Sequence, residues 1–142
     1  MKHTRRAAAV TALAAAGMVG ATALASPASA ATQGVLNVPY NGACGAGYSV
    51  IDSADVETLG TAYLTWNERT GENCVVTLRT KPGTAVYMQA KVYQSAHTEV
   101  SASDSGAYKS YAGPVYIPAR GECVTWRAQI DDTYIVNEGH CG

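Results

Sequence analysis

Two short motifs and one charge pattern are missing from the 142-residue sequence, and each absence excludes a class of function. No C-x-x-C pair occurs, which excludes zinc knuckles and thioredoxin-type sites because both need closely spaced thiols. No G-x-S-x-G occurs, so the nucleophile elbow of α/β-hydrolases is excluded. Beyond position 6, the seven basic residues are spread from Arg69 to Arg127. They lack the concentrated positive field that a phosphate backbone requires, and we expect no nucleic-acid partner.

The first thirty residues have the organisation of a secretory signal peptide. An apolar stretch covers residues 7 to about 25, and the small-residue run 26–30 ends in an Ala-x-Ala cleavage site. The basic residues before this stretch are Lys2, Arg5 and Arg6. A membrane anchor is the alternative, but Gly17 and Gly20 interrupt the stretch and no stop-transfer pattern follows. We predict removal of residues 1–30 by the general secretory route, and the adjacent arginines leave the twin-arginine route open.

The remainder, residues 31–142, is predicted to be a single secreted β domain. No later stretch stays apolar for the ~20 residues that a membrane span needs, so we expect no transmembrane anchor after processing. Loss of the three basic residues changes the formal net charge from -1 to -4. We expect an extracellular location, where disulfides persist.

Four cysteines in a secreted domain of this size predict two disulfides, and the sequence alone leaves three connectivities open. Cys44 precedes one predicted strand and Cys74 opens another two strands later, so an antiparallel meander brings them to the same end. Cys123 opens a strand and Cys141 closes the next one. The favoured pairing is therefore Cys44 with Cys74 and Cys123 with Cys141, each adding about 3 kcal/mol to the stability.

Period-two alternation dominates after an irregular leader at 31–47, which is rich in glycine. In the clearest run, Val86, Met88, Ala90 and Val92 alternate with polar and tyrosine side chains. A polar loop is predicted from 95 to 106. The predicted strands are 48–52, 61–67, 74–80, 85–93, 115–117, 123–130 and 134–136. We predict an all-β fold, a small disulfide-stapled antiparallel β-sandwich of about seven or eight strands.

Residues that could carry catalysis or bind a metal are few. After processing, His97 lies in the polar loop and His140 lies beside Cys141. A hydrolase would need one of them next to an activated nucleophile and an orienting acid. Two clusters of acidic residues could supply paired carboxylates for glycoside hydrolysis or ligands for calcium. Neither has the residue spacing of a dedicated calcium loop, and we interpret both as turn caps and solvated edges. They are Asp52, Asp55 and Glu57, and Asp131, Asp132 and Glu138. We predict no catalytic residue, no metal site and no cofactor.

Tyrosine is the feature that stands out, with nine in the chain and no phenylalanine. Four tyrosines alternate away from the apolar positions of their strands: Tyr63, Tyr87, Tyr93 and Tyr116. Exposed aromatic rings with polar tips suit sugar rings, proteins or self-association. The alternative is that tyrosine fills the β-surface because of its strand propensity. These four residues form the candidate binding face.

Several stretches of this sequence resemble the spore-associated protein A family of spore-forming actinobacteria. They are 40–53 (YNGACGAGYSVIDS), 73–77 (NCVVT), 82–85 (PGTA) and 111–116 (YAGPVY). The likeness covers nearly all of residues 38 to 130 and is less clear from 131 to 142. It implies a small secreted protein found with the spore surface, and it transfers no activity, ligand or functional residue.

The sequence therefore predicts a non-enzymatic secreted protein associated with the spore or cell envelope surface, which binds through an aromatic β face. The expected partner is a cell-wall or spore-wall component, either polysaccharide or protein. One alternative is a small carbohydrate-binding module. Another is a secreted inhibitor or effector protein, for which the loop at 95–106 would be the recognition segment.

Overall fold

The structure, a computed structural model, describes residues 38–142 and contains eight strands. Within this range no helix is present that could cross a membrane. The predicted signal peptide and the first part of the leader lie outside the described residues. The strands are β1 (Ser49–Val56), β2 (Gly60–Asn67), β3 (Glu72–Arg79), β4 (Val86–Gln94), β5 (Ser101–Tyr108), β6 (Tyr111–Pro118), β7 (Val124–Ile130) and β8 (Thr133–Gly139).

The strands form two four-stranded antiparallel sheets that share one core. Sheet A has the order β1-β2-β3-β6, and sheet B has the order β5-β4-β7-β8. The core contains apolar side chains from both sheets, including Leu64 and Val75 from sheet A with Met88 and Trp126 from sheet B. The predicted all-β sandwich stapled by disulfides is therefore confirmed.

Alternation assigned the inward side chains of β4 correctly, and β7 shows the same pattern. Met88, Ala90 and Val92 of β4 are buried, and so are the inward residues of β7. The two strands pair in register, with Ala90 opposite Ala128. Since successive side chains of a strand point to opposite sides, the residues between them must face away from the core.

The predicted polar loop at 95–106 is wrong in its second half, because β5 begins at Ser101 and pairs with β4 from Val86 to Tyr93. The inward positions of β5 include Ala102, Asp104 and Gly106, which are too small or too polar to give an apolar alternation. Asp104 accepts hydrogen bonds from the Tyr108 hydroxyl and, at 2.7 Å, from the backbone N–H of Gly113 in β6. A side chain on an edge strand of sheet B is thereby bonded to an edge strand of sheet A.

The structure contains the favoured disulfide pairing, Cys44–Cys74 and Cys123–Cys141. The first bond ties the chain ahead of β1 to β3. The second ties the residue before β7 to the residue before the C-terminus. Both therefore join segments that the strand order had already brought close together.

Residues 38–48, which precede β1, lie over the outer side of sheet A. A second apolar cluster forms there from Tyr63, Val76 and Leu78 of the sheet, packed against Val38, Tyr40 and Ala43. The Tyr63 hydroxyl donates to the Val38 carbonyl, and the rings of Tyr40 and Tyr63 lie 5.4 Å apart. We call this side of sheet A the covered face.

Tyrosine ionisation should weaken the covered face at alkaline pH. Burial raises the pKa of Tyr48, Tyr63 and Tyr116 above the ordinary value of 10.0. When the pKa of a tyrosine is higher in the folded chain than in the unfolded chain, its contribution to stability is complete at pH values below the pKa of the unfolded chain. That contribution is lost as the pH rises through the pKa of the folded chain. We expect the free energy of unfolding to fall as the pH rises above about 10.

Urea unfolding between about pH 8 and about pH 11, with tyrosinate absorbance followed in parallel, measures this effect. Tyr116→Phe, which cannot ionise, should make the alkaline decline shallower. A free energy of unfolding that stays constant while these three tyrosines ionise would contradict the expectation.

Candidate functional site

The outer side of sheet B has no segment of residues 38–142 lying over it in the way that residues 38–48 lie over sheet A. We call this side the open face. It presents four cross-strand rows, since paired residues of antiparallel strands point to the same side. Its outward residues are Ser101, Ser103, Ser105 and Ala107 of β5; Tyr87, Gln89, Lys91 and Tyr93 of β4; Thr125, Arg127 and Gln129 of β7; and Tyr134, Val136 and Glu138 of β8.

Three tyrosines lie on the open face. Tyr87 and Tyr93 lie at opposite ends of β4, about 20 Å apart at the rise of a strand. Tyr134 lies on β8, in the same row as Gln89 and Gln129. Tyr87 is 44% exposed and Tyr134 is 57% exposed. From β4 to β8 the sheet spans two strand spacings, about 10 Å.

Two cationic side chains of the open face pack against two of these tyrosine rings. The Lys91 ammonium is 5.4 Å from the centre of the Tyr93 ring, and the Arg127 guanidinium is 4.4 Å from that of Tyr134. Arg127 also donates to the Gln129 side chain at 2.9 Å. Cations at these distances are attracted to aromatic rings, which favours one orientation of each ring. The open face therefore offers ordered aromatic planes beside hydroxyl and amide groups.

The structure brings together only two of the four tyrosines that the sequence grouped as a candidate binding face. Tyr87 and Tyr93 share the open face. Tyr63 is buried under residues 38–48 on the covered face. Tyr116 lies on sheet A as well, where its hydroxyl donates to the Cys44 carbonyl at 3.2 Å. The four residues therefore do not form one surface.

Tyr134 is the residue of the open face that sequence reasoning missed. The signal was available, because the Asp131-Asp132 turn pairs β7 with β8 and places Tyr134 opposite Gln129. Gln129 lies between the buried Ala128 and Ile130, so alternation places it on the outward side of β7. Extending that pairing across the turn would have placed Tyr134 on the same side.

The two histidines within residues 38–142 pair with carboxylates. His97 Nδ1 lies 3.6 Å from Glu99, and His140 Nε2 lies 2.9 Å from Asp52. In the other acidic positions, Asp55 accepts a 2.8 Å hydrogen bond from Thr61. Between residues 38 and 142, no group of three histidine, cysteine or acidic side chains is placed to hold a metal ion.

An open cleft of about 520 Å³ lies at one end of the sandwich and is lined in part by Leu59, Arg79 and Lys81. The Arg79 guanidinium already donates to the backbone carbonyls of Thr84 and Lys109, at 2.8 and 3.0 Å. It therefore ties loops together at this end. The open face, whose aromatic and amide groups point outward, is the better candidate for binding a large partner.

Comparison with known proteins gives one informative relationship. No protein-family model matches the chain, and no solved structure matches it. The chain is 44% identical over 132 residues to spore-associated protein A of Streptomyces coelicolor. The matched region covers 92% of this chain and 85% of that protein. Identity at this level over nearly the full length of both sequences shows that the chain belongs to the spore-associated protein A family.

Proposed function

We propose that this protein is a secreted, non-enzymatic component of the spore or cell envelope surface that binds a wall component through the open face. The observation that carries the proposal is the grouping of Tyr87, Tyr93 and Tyr134 on one side of sheet B. The name of the relative, a spore-associated protein, supports a location at the spore. In this proposal residues 1–30 direct export and are removed.

The chemistry of the open face suits a polymer with repeating polar and apolar surfaces. Tyrosine contributes large apolar contact area and keeps a hydroxyl available for hydrogen bonding. Because two of the rings already lie beside cations, their orientations are partly fixed before a partner arrives. Less conformational entropy is then lost on binding.

A carbohydrate-binding module is the second candidate, favoured by the hydrogen-bonding groups of the open face. Ser101, Ser103 and Ser105 form a column of hydroxyls along β5. Gln89 and Gln129 lie opposite one another in the centre of the face. Such a module would bind one defined glycan saturably, whereas a general envelope protein would bind whole walls.

The test is spore association of a double variant, Tyr87→Ala with Tyr93→Ala. We expect the variant to fold and to show a several-fold loss of association with spores, because each substitution removes an aromatic contact worth about 1 kcal/mol or more. Immunodetection on washed spores, compared with the amount in the medium, provides the measurement.

Tyr111→Ala is the matched control, because Tyr111 is 43% exposed but lies on β6 of sheet A. We expect it to associate with spores like the unmodified protein. Full association of the Tyr87→Ala, Tyr93→Ala variant would show that the open face is not the binding surface. Equal loss in the control would lead to the same conclusion.

A further inference from the structure

The two sheets have four edge strands, and three of them carry features that oppose pairing with another chain. β1 has a register shift between Val50 and Asp52, and Asp52 shares the core-facing side with Leu64. β6 contains Pro114 and ends at Pro118. β5 has the inward-pointing Asp104. Bulges, prolines and inward charges on an edge strand all protect it from strand addition.

The fourth edge, β8, carries none of these features. It pairs with β7 without a register shift, from Thr133 opposite Ile130 to Gly139 opposite Val124. Its sequence, TYIVNEG, has no proline and no basic residue, and Val136 on its outward side is 48% exposed. Among the described residues no strand pairs with its far side. Every second residue of β8 therefore directs its N–H and C=O groups to an open edge.

We infer that β8 pairs antiparallel with β8 of a second copy of this chain, around a two-fold axis at Val136. The pairing is self-complementary. It places Tyr134 of one copy opposite Glu138 of the other. Since the Arg127 guanidinium covers the Tyr134 ring, this register brings Glu138 of the second copy close to a cation. The two valines at the axis bury their exposed side chains against each other.

This geometry joins the two copies of sheet B into one eight-stranded sheet. Paired residues of antiparallel strands point to the same side, so the two open faces become one continuous surface. A single short edge buries little area, and the dimer should be weak and concentration-dependent. The dimer doubles the tyrosines on one surface, so a repeating wall polymer would bind it with avidity.

The test uses sedimentation equilibrium on protein exported from the full chain and purified with its disulfides intact. We expect a monomer–dimer equilibrium, and Val136→Glu should raise its Kd about tenfold or more, because two carboxylates would meet at the axis. The glutamate would lie across from Arg127 of its own copy, so it should not unfold the domain. Val136→Lys should also weaken the dimer.

Mixing the two variants should restore dimers, because glutamate then faces lysine at the axis. Val50→Glu is the matched control: Val50 is 43% exposed on the protected edge β1, and its substitution should leave the Kd unchanged. A monomer at all concentrations up to about 1 mM would overturn the inference. An unchanged Kd for Val136→Glu, no recovery on mixing, or an equal effect of Val50→Glu would also overturn it.

Discussion

Replacing both Cys44 and Cys74 by alanine is expected to lower the free energy of unfolding by about 3 to 4 kcal/mol and to loosen residues 38–48 from the covered face. The bond joins residues 30 positions apart, and removing a cross-link restores chain entropy to the unfolded state. That loss is a large share of the roughly 5 to 15 kcal/mol that keeps a domain folded. Urea unfolding of the oxidised proteins measures it.

Removal of the Cys44–Cys74 bond should also lower the local stability of the covered face, which amide hydrogen exchange measures. Tyr63, Val76 and Leu78 are buried in part by Val38, Tyr40 and Ala43, which the disulfide holds in place. Amides of β2 and β3 should therefore exchange faster in this variant. Replacement of Cys123 and Cys141 is the matched control, because that bond joins the segments that flank β7 and β8 of sheet B and is not part of the cluster around Tyr63, Val76 and Leu78. Equal exchange at β2 and β3 in both variants would contradict a tethering role for the first bond.

Trp126→Ala is expected to destabilise the domain by about 3 to 5 kcal/mol. Trp126 is the largest of the fully buried side chains and lies in the core shared by both sheets. Its removal leaves a cavity, and the neighbouring side chains relax only in part. Unfolding monitored by circular dichroism measures the change.

Trp126→Phe should cost much less than the alanine variant. The Trp126 indole N–H is buried and has no hydrogen-bond partner within the described residues. A buried donor left without an acceptor costs about 1 to 3 kcal/mol, so phenylalanine removes a penalty while keeping most of the apolar volume. A phenylalanine variant as unstable as the alanine variant would contradict a penalty from an unpaired indole N–H.

Most of the fold could be predicted because large apolar side chains alternate along the strands that form the core. That alternation predicted the positions of seven strands and the two sides of β4. The disulfide pairing was predicted from the order of those strands. β5 was missed because Asp104 and Gly106 occupy positions that face inward. Asp104 accepts a hydrogen bond from the Gly113 backbone of β6, and the local sequence carries no sign of that contact.

The candidate site was harder to predict, because period-two alternation separates two sides of a strand without showing which side is covered. Tyr63 and Tyr87 both alternate away from the core, yet Tyr63 is buried by residues 38–48 and Tyr87 is exposed. The difference arises from a disulfide and from packing between segments distant in sequence. Which sheet a strand joins also depends on pairing between segments distant in sequence. The alternation within their own strands therefore could not show that Tyr116 lies on sheet A and Tyr93 on sheet B.

The asymmetry between the two sheets underlies the proposed binding mode. Sheet A uses its outer side to hold residues 38–48, through the Cys44–Cys74 bond and the tyrosine contacts around it. The outer side of sheet B carries Tyr87, Tyr93 and Tyr134. A ligand that attaches the protein to an envelope would therefore meet sheet B.

The most direct measurement is co-sedimentation of the oxidised protein with purified peptidoglycan, chitin and intact spore walls, across a series of salt concentrations. The proposed binding mode predicts saturable binding to at least one wall material that persists at high salt, because salt screens exposed charges but does not remove aromatic contacts. Absence of binding to all three, or binding that high salt abolishes, would contradict attachment through the open face.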